Sequence, residues 1–221
     1  MIVKCAFIVF VAERFNKRVR FPQIMLVIGI VGRTKSGKTT LANRMDYVYD
    51  TKVFSHATPV RVEVGRAWFK GNNSGKVADT KWSLLEMENK EILRPVLRSW
   101  AEARRQIISS DYWVEKVWDD IYDENPKRVV FDDVRYPNEL LRILDNGGYI
   151  VRLVASDETL IERGSNELSL AHASETSLIQ ATLHEATNPK CITINVDGKT
   201  ENEVWGAVRD FIANAVVEEC S

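Results

Sequence analysis

One run of residues constrains this chain more than any other: LVIGIVG followed by RTKSGKTT, Leu26 to Thr40. An Ile- and Val-rich stretch that stops at a glycine reads as a buried strand of a parallel sheet. GRTKSGKT, Gly32 to Thr39, then fits G-x-x-x-x-G-K-[ST] without a mismatch. In such a loop successive backbone N–H groups point at one anion, and the helix that follows adds the positive end of its dipole. Gly32 and Gly37 stand where the backbone turns tightly and approaches phosphate. Lys38 is expected to reach the terminal phosphates of a nucleoside triphosphate, and the Thr39 hydroxyl to ligate Mg²⁺. The full phosphate-binding set expected is Gly32, Lys35, Ser36, Gly37, Lys38, Thr39 and Thr40. A polar turn matching by chance is the alternative, and the strand before and helix after argue against it.

The rest of the chain alternates strand and helix patterns. Strands are expected over Met25–Val31, Arg128–Asp132, Tyr149–Val154 and Cys191–Val196, with a short extended piece at Phe54–Ser55. Helices are expected from Lys38 to about Met45, over Pro59–Phe69, Trp82–Leu93, Pro95–Ile108, Tyr112–Tyr122 and Pro137–Leu144, in a short stretch capped by Asp157, and over Glu201–Val217. This order predicts an α/β fold, a mostly parallel sheet flanked by helices, of the P-loop NTPase type.

Composition narrows the classes. Lys and Arg total 30 against 31 Asp and Glu, which argues against a general nucleic-acid binder. Cys5, Cys191 and Cys220 are scattered, with no CxxC pair, so no zinc ribbon or disulfide framework is expected, and a reducing cytosol fits. No apolar run approaches the length of a membrane-spanning helix. Residues 1–24 read as an N-terminal extension, because Met25 directly precedes the first core strand. The working domain is then 25–221.

Phosphate loops serve GTPases, motor ATPases and small-molecule kinases alike. A GTPase needs N-K-x-D, and Asn89-Lys90 is followed by Glu91-Ile92. A motor ATPase usually has a strand ending in Asp-Glu, and here the strand ends in Asp132-Asp133, which keeps an ATPase or switch subunit open. FDDVRYPNE, Phe131 to Glu139, says more. A carboxylate at the C-terminal end of a strand lies beside the phosphate loop in an open α/β sheet. Asp133 is expected to hold a Mg²⁺ water or orient the attacking oxygen, and Arg135 to neutralise a phosphate. The plainer reading is that both aspartates cap a turn.

Four blocks, from Ile28 to Glu175, resemble the bacteriophage-type deoxynucleoside monophosphate kinases. They are IGIVGRTKSGKTTLA (Ile28 to Ala42), HATPVR (His56 to Arg61, similar to F-A-x-P-[LV]-[KR]), DVRYPNE (Asp133 to Glu139, then Gly147-Gly148 and VRL), and HASE (His172 to Glu175). The resemblance implies a phosphotransferase with ATP as donor, Mg²⁺, and a deoxynucleoside 5′-monophosphate as acceptor, supplying DNA precursors. It also implies a cytoplasmic location, the host's cytoplasm if the chain is phage-encoded. A helical acceptor-binding region is expected over about 55–123 and a lid over about 163–175. Arg163 borders that lid and is expected to close on the transferring group; His172 and Glu175 would fix the lid against the site. The chain departs at RPVLR, Arg94 to Arg98, where the family often has R-P-L-L-Q. Arg98 replaces the glutamine, which bears on base preference.

The arginines of 94–105 need partners. At helical spacing Arg94, Arg98 and Arg105 fall within about 40° of one another and read as a solvated face or the basic wall of a cleft. Arg104 falls among Leu97, Trp100, Ile107 and Ile108, so it must meet an acceptor phosphate or an acid such as Glu86 or Asp111. The acceptor set expected is Arg61, Arg104, Arg135 and Glu175; the transferring set is Lys38, Asp133, Arg135 and Arg163; the metal set is Thr39 and, through water, Asp133. Other small phosphorylated acceptors, of dephospho-coenzyme A or phosphomevalonate type, stay open. So does a homodimer.

Overall fold

The computed structural model describes residues 26–68, 92–165 and 188–219. Its strands are β1 (Leu26–Gly32), β2 (Lys52–Phe54), β3 (Arg128–Val134), β4 (Tyr149–Val154) and β5 (Cys191–Asn195). The helices are α1 (Lys38–Tyr49), α2 (Ala57–Trp68), a helical stretch over 92–107 called α3, α4 (Tyr112–Glu124), α5 (Pro137–Asp145), α6 (Asp157–Glu162) and α7 (Glu201–Glu219). The five strands form one sheet in the order β2-β3-β1-β4-β5. Every pairing is parallel. The expected α/β architecture is therefore the observed one.

Side-chain alternation along the strands sorts the core into two layers. On one face Val27, Val31, Val129 and Phe131 pack with Val117, Trp118 and Ile121 of α4 and Leu140 and Ile143 of α5. On the other, Ile28, Ile30 and Val130 pack with Leu41, Ala42 and Met45 of α1 and Trp205, Val208 and Ile212 of α7. A third, smaller cluster joins α2, α3 and α4 through Val60, Val64, Leu93, Ala101 and Trp113. The helices bearing the arginines thus have their own apolar core beside the main sheet.

Several boundaries differ from expectation for local reasons. α1 runs on to Tyr49 because Asp50 closes it in a left-handed conformation, its N–H donating to the Asp46 carbonyl. Ser156, rather than Asp157, caps α6 by accepting the Thr159 N–H. Residues 92–107 are helical throughout, so Pro95 sits inside a helix and does not start one. Most important, β3 continues through Asp132 and Asp133 to Val134. The expected helix over Trp82–Leu93 lies largely outside the described residues, as do residues 1–24 and most of the expected lid.

Trp118 is fully buried and stacks obliquely on Phe131 with ring centroids 5.8 Å apart. Its indole N–H finds no partner. Trp118→Ala should lose about 3–5 kcal/mol of stability by removing a large core side chain. Trp118→Phe, which also deletes the orphaned donor, should lose much less; urea unfolding of both variants checks the difference.

Candidate active site

The phosphate loop begins where β1 ends. A Cβ on Gly32 would come within 2.5 Å of Ser36 Oγ and 2.8 Å of the Leu153 carbonyl, so only glycine fits. Lys35 and Gly37 both have positive φ, 65° and 98°, and Gly37 sits at the N-cap of α1. Residues alternating into this conformation turn successive N–H groups toward one point, which is how a backbone nest holds an anion. Ser36 is buried within the loop, while Lys35, Thr39 and Thr40 face outward. The Lys38 ammonium donates to the carbonyls of Gly32 (2.6 Å) and Arg33 (2.7 Å), folded back over the loop.

The two aspartates of β3 part company. Thr39 Oγ1 donates to Asp132 Oδ2 at 3.1 Å. Asp133 turns the other way and is saturated by the segment leading into α2. It accepts from the Ser55 hydroxyl (2.6 Å), the His56 N–H (2.8 Å) and the Ala57 N–H (2.9 Å). His56 Nδ1 lies a further 3.3 Å from Oδ1. Strand alternation is the cause, since neighbours on a strand face opposite sides. The β1–β3 register also slips here: Gly29 pairs with Phe131 but Val31 with Val134. Asp133, expected to hold a Mg²⁺ water or orient the attacking oxygen, is thus turned toward the start of α2. The carboxylate beside Thr39 is Asp132.

Their acidities diverge with their surroundings. Burial and then the charge of Asp133 push the Asp132 carboxyl above its ordinary range, against the Thr39 hydroxyl, Lys38 and Arg61. Burial also works against charge on Asp133, but its bonds to His56 and Ser55 outweigh it and hold the carboxyl far below that range. Burial opposes charge on His56 as well, yet Glu139 and Asp133 prevail over Arg105 and raise its pKa.

Thr39 and Asp132 fit Mg²⁺, which prefers hard oxygen ligands and completes its shell with water and substrate phosphate rather than an all-protein cage. The partial burial that disfavours the Asp132 charge is relieved by such a cation. Among the described residues no group of three or more His, Cys, Asp or Glu is arranged to hold a metal.

Arg61 lies on α2, close enough to Asp132 to favour its ionised form. Arg135 follows β3 directly; its N–H donates to Glu139 Oε2 at 2.7 Å, and its side chain is half-buried. Arg104 does not meet Asp111. Its Nε donates to Glu63 Oε1 at 2.6 Å, and Nη2 pairs with the same oxygen. Glu63 also accepts from Trp100 Nε1 (3.1 Å) and Tyr112 Oη (2.7 Å), and burial is outweighed by these bonds so that its pKa is lowered. The Arg104 charge is thus engaged within the helical cluster, and Glu86 lies outside the described residues. Arg105 is no solvated arginine: its guanidinium rests 4.0 Å from the Tyr136 ring centroid and 3.6 Å from Glu139. The apolar stripe expected on α3 stops early, with Ile107 and Ile108 exposed.

Arg163 is exposed at the end of α6, and Nη2 donates to the Val196 carbonyl at 3.4 Å. That contact lies past the end of β5, two strands from β1. His172 and Glu175 lie outside the described residues. Two contacts had no advance signal in the sequence. Arg33, inside the loop, pairs with Asp157 at the start of α6. Asn138 donates to the Ser110 carbonyl (2.9 Å) and to Asp111 (2.8 Å), pinning α5 to the α3–α4 turn.

No protein-family model matches this chain, and neither does any curated protein. Solved structures similar in shape include a shikimate kinase from Aquifex aeolicus vf5, with 12% identity and a TM-score of 0.43 over 86% of this chain and 99% of that one. A sugar kinase from Janibacter sp. HTCC2649 shows 17% identity and a TM-score of 0.41 over 87% and 95%. A gluconokinase from Sinorhizobium meliloti 1021 shows 16% and 0.38 over 86% and 91%. Overlaps of that order say nothing of substrate or reaction, which rest on this chain's own residues.

The pairing of Asp133 with His56 has a pH signature. A depressed carboxyl contributes stability that is present above its unfolded value of about 3.9 and lost as pH falls through the folded value. A raised imidazole contributes stability present below about 6.5 and lost as pH rises through its folded value. The pair should therefore stabilise most between roughly pH 4 and 6.5. Urea midpoints across pH should show the wild type losing stability on the acid side, with Asp133→Asn flatter, lower above about pH 4 and converging with the wild type as the pH falls.

Proposed function

We propose that this chain passes the γ-phosphoryl group of ATP to a (deoxy)nucleoside 5′-monophosphate, giving ADP and the diphosphate. The observation that carries the reading is the division of β3: Asp132 meets Thr39 of the phosphate loop, and Asp133 holds the start of the helix that bears Arg61. A donor cradle and an arginine-bearing helix are thereby fixed to adjacent residues of one strand. The monophosphate acceptor is supported by the HATPVR and DVRYPNE blocks.

In this mechanism the loop N–H groups and Lys38 bind the triphosphate. Lys38 leaves the Gly32 and Arg33 carbonyls for the phosphate oxygens when the nucleotide arrives. Thr39 and Asp132 would hold Mg²⁺, which neutralises phosphate charge. Arg61 and Arg135 orient the acceptor phosphate in line. No covalent protein intermediate is needed, because phosphoryl transfer is accelerated by positioning and charge neutralisation. Arg163 and the stretch to residue 175 belong to the lid of this proposal. Residues of about 55–123 form its acceptor region and 1–24 its extension. A cytoplasmic, DNA-precursor role goes with the same reading.

Coupled ADP release tests it, with dGMP, dTMP, dCMP, their ribonucleotides, dephospho-coenzyme A and phosphomevalonate offered in turn. Stimulation by a nucleoside monophosphate is expected. Slow hydrolysis unaffected by any acceptor would instead mark an ATPase or switch. Lys38→Ala should abolish transfer while the unfolding midpoint holds, and Arg61→Ala should slow it about a thousandfold. Asp132→Asn should cost more activity than stability, the reverse of Asp133→Asn.

A further inference from the structure

We propose that His56 is a positioning residue that sets Arg61 against the phosphate loop; the proposal rests on the kinase reading above. His56 immediately precedes α2 and is buried to 3% exposure. Its ring stacks on Phe131 of β3, centroids 4.9 Å apart and planes 18° from parallel. Nδ1 faces two carboxylates of different elements, Asp133 of β3 at 3.3 Å and Glu139 of α5 at 4.0 Å. Glu139 is equally committed. Its Oε2 accepts the N–H groups of Arg135 (2.7 Å) and Tyr136 (3.0 Å), and its Oε1 lies 3.6 Å from Arg105 of α3.

His56 therefore stands where the elements bearing Arg61, Arg105 and Arg135 meet. Arg61 is five residues further along α2, little more than one helical turn, so a shift at His56 is carried to Arg61 by a rigid element. The frame against which that shift matters is close by, because Asp132, which binds Thr39, is the neighbour of Asp133 on the same strand. An aromatic ring alone satisfies the stack, and what histidine adds is the Nδ1 link to the carboxylates.

His56→Phe isolates that addition. It keeps a ring on Phe131 and the two backbone bonds to Asp133, and removes Nδ1. A displacement of about 1 Å at a reacting group can cost about 100-fold in rate, so kcat/KM for the monophosphate should fall about 10- to 100-fold. Affinity for ATP, measured by equilibrium binding, should stay within about twofold, because the phosphate loop is untouched. His56→Asn, which returns a donor near the Nδ1 position, should recover part of the loss. Amide exchange over residues 57–61 should be faster in His56→Phe than in the wild type.

An unchanged kcat/KM overturns the proposal. So does a loss in which ATP affinity and unfolding midpoint fall in step with activity, since that marks a purely structural residue. If the wild type transfers to no monophosphate, the kinase reading fails, and the exchange measurement still decides the positioning claim: unchanged protection over 57–61 refutes it.

Discussion

Asp133 accepts hydrogen bonds from Ser55, His56 and Ala57, and on that carboxylate the placement of α2 depends. Val60 and Val64 of α2 pack into the separate cluster with α3 and α4. A helix N-terminus leaves N–H groups without intrahelical partners and carries partial positive charge. A buried carboxylate opposite it satisfies both. Removing one partner of such a buried pair typically costs about 3–5 kcal/mol, more than an exposed ion pair contributes, because the other is left charged and unsatisfied. From this anchor the remaining contacts follow in order. Glu139 extends it to α5 and α3, and Asn138 ties α5 to the α3–α4 turn. DVRYPNE thus also joins the sheet to the arginine-bearing helices.

Much of this was legible in the sequence because much of it is local. The phosphate loop is a contiguous motif whose geometry is set by glycines within it, and the Val- and Ile-rich runs place four strands. β2 is three residues long, KVF, too short for any periodic signal. β3 runs two residues past the expected end at Asp132, because two aspartates look like the end of a strand. Extending it to Val134 sends Asp132 and Asp133 to opposite faces, and that alternation was the available clue to which one meets Thr39. The partners of Arg104 and Arg105 were not legible. Glu63 is 41 residues from Arg104, and Glu139 lies on another helix altogether. Spacing within α3 ranks its faces but cannot name what stands opposite them.

The two neighbouring aspartates also show how a strand separates a structural charge from a usable one. Asp133 has every oxygen engaged by donors, so its charge is spent on holding α2. Asp132 has one hydroxyl, that of Thr39, and partial burial raises rather than lowers its pKa. On the proposed reading, a cation between Asp132 and the triphosphate would offset the burial and the Asp133 charge that hold this carboxyl above its ordinary range. Two adjacent residues of one type therefore answer to opposite demands. The register slip at the end of β3 lets Val134 return to the core after both have left it.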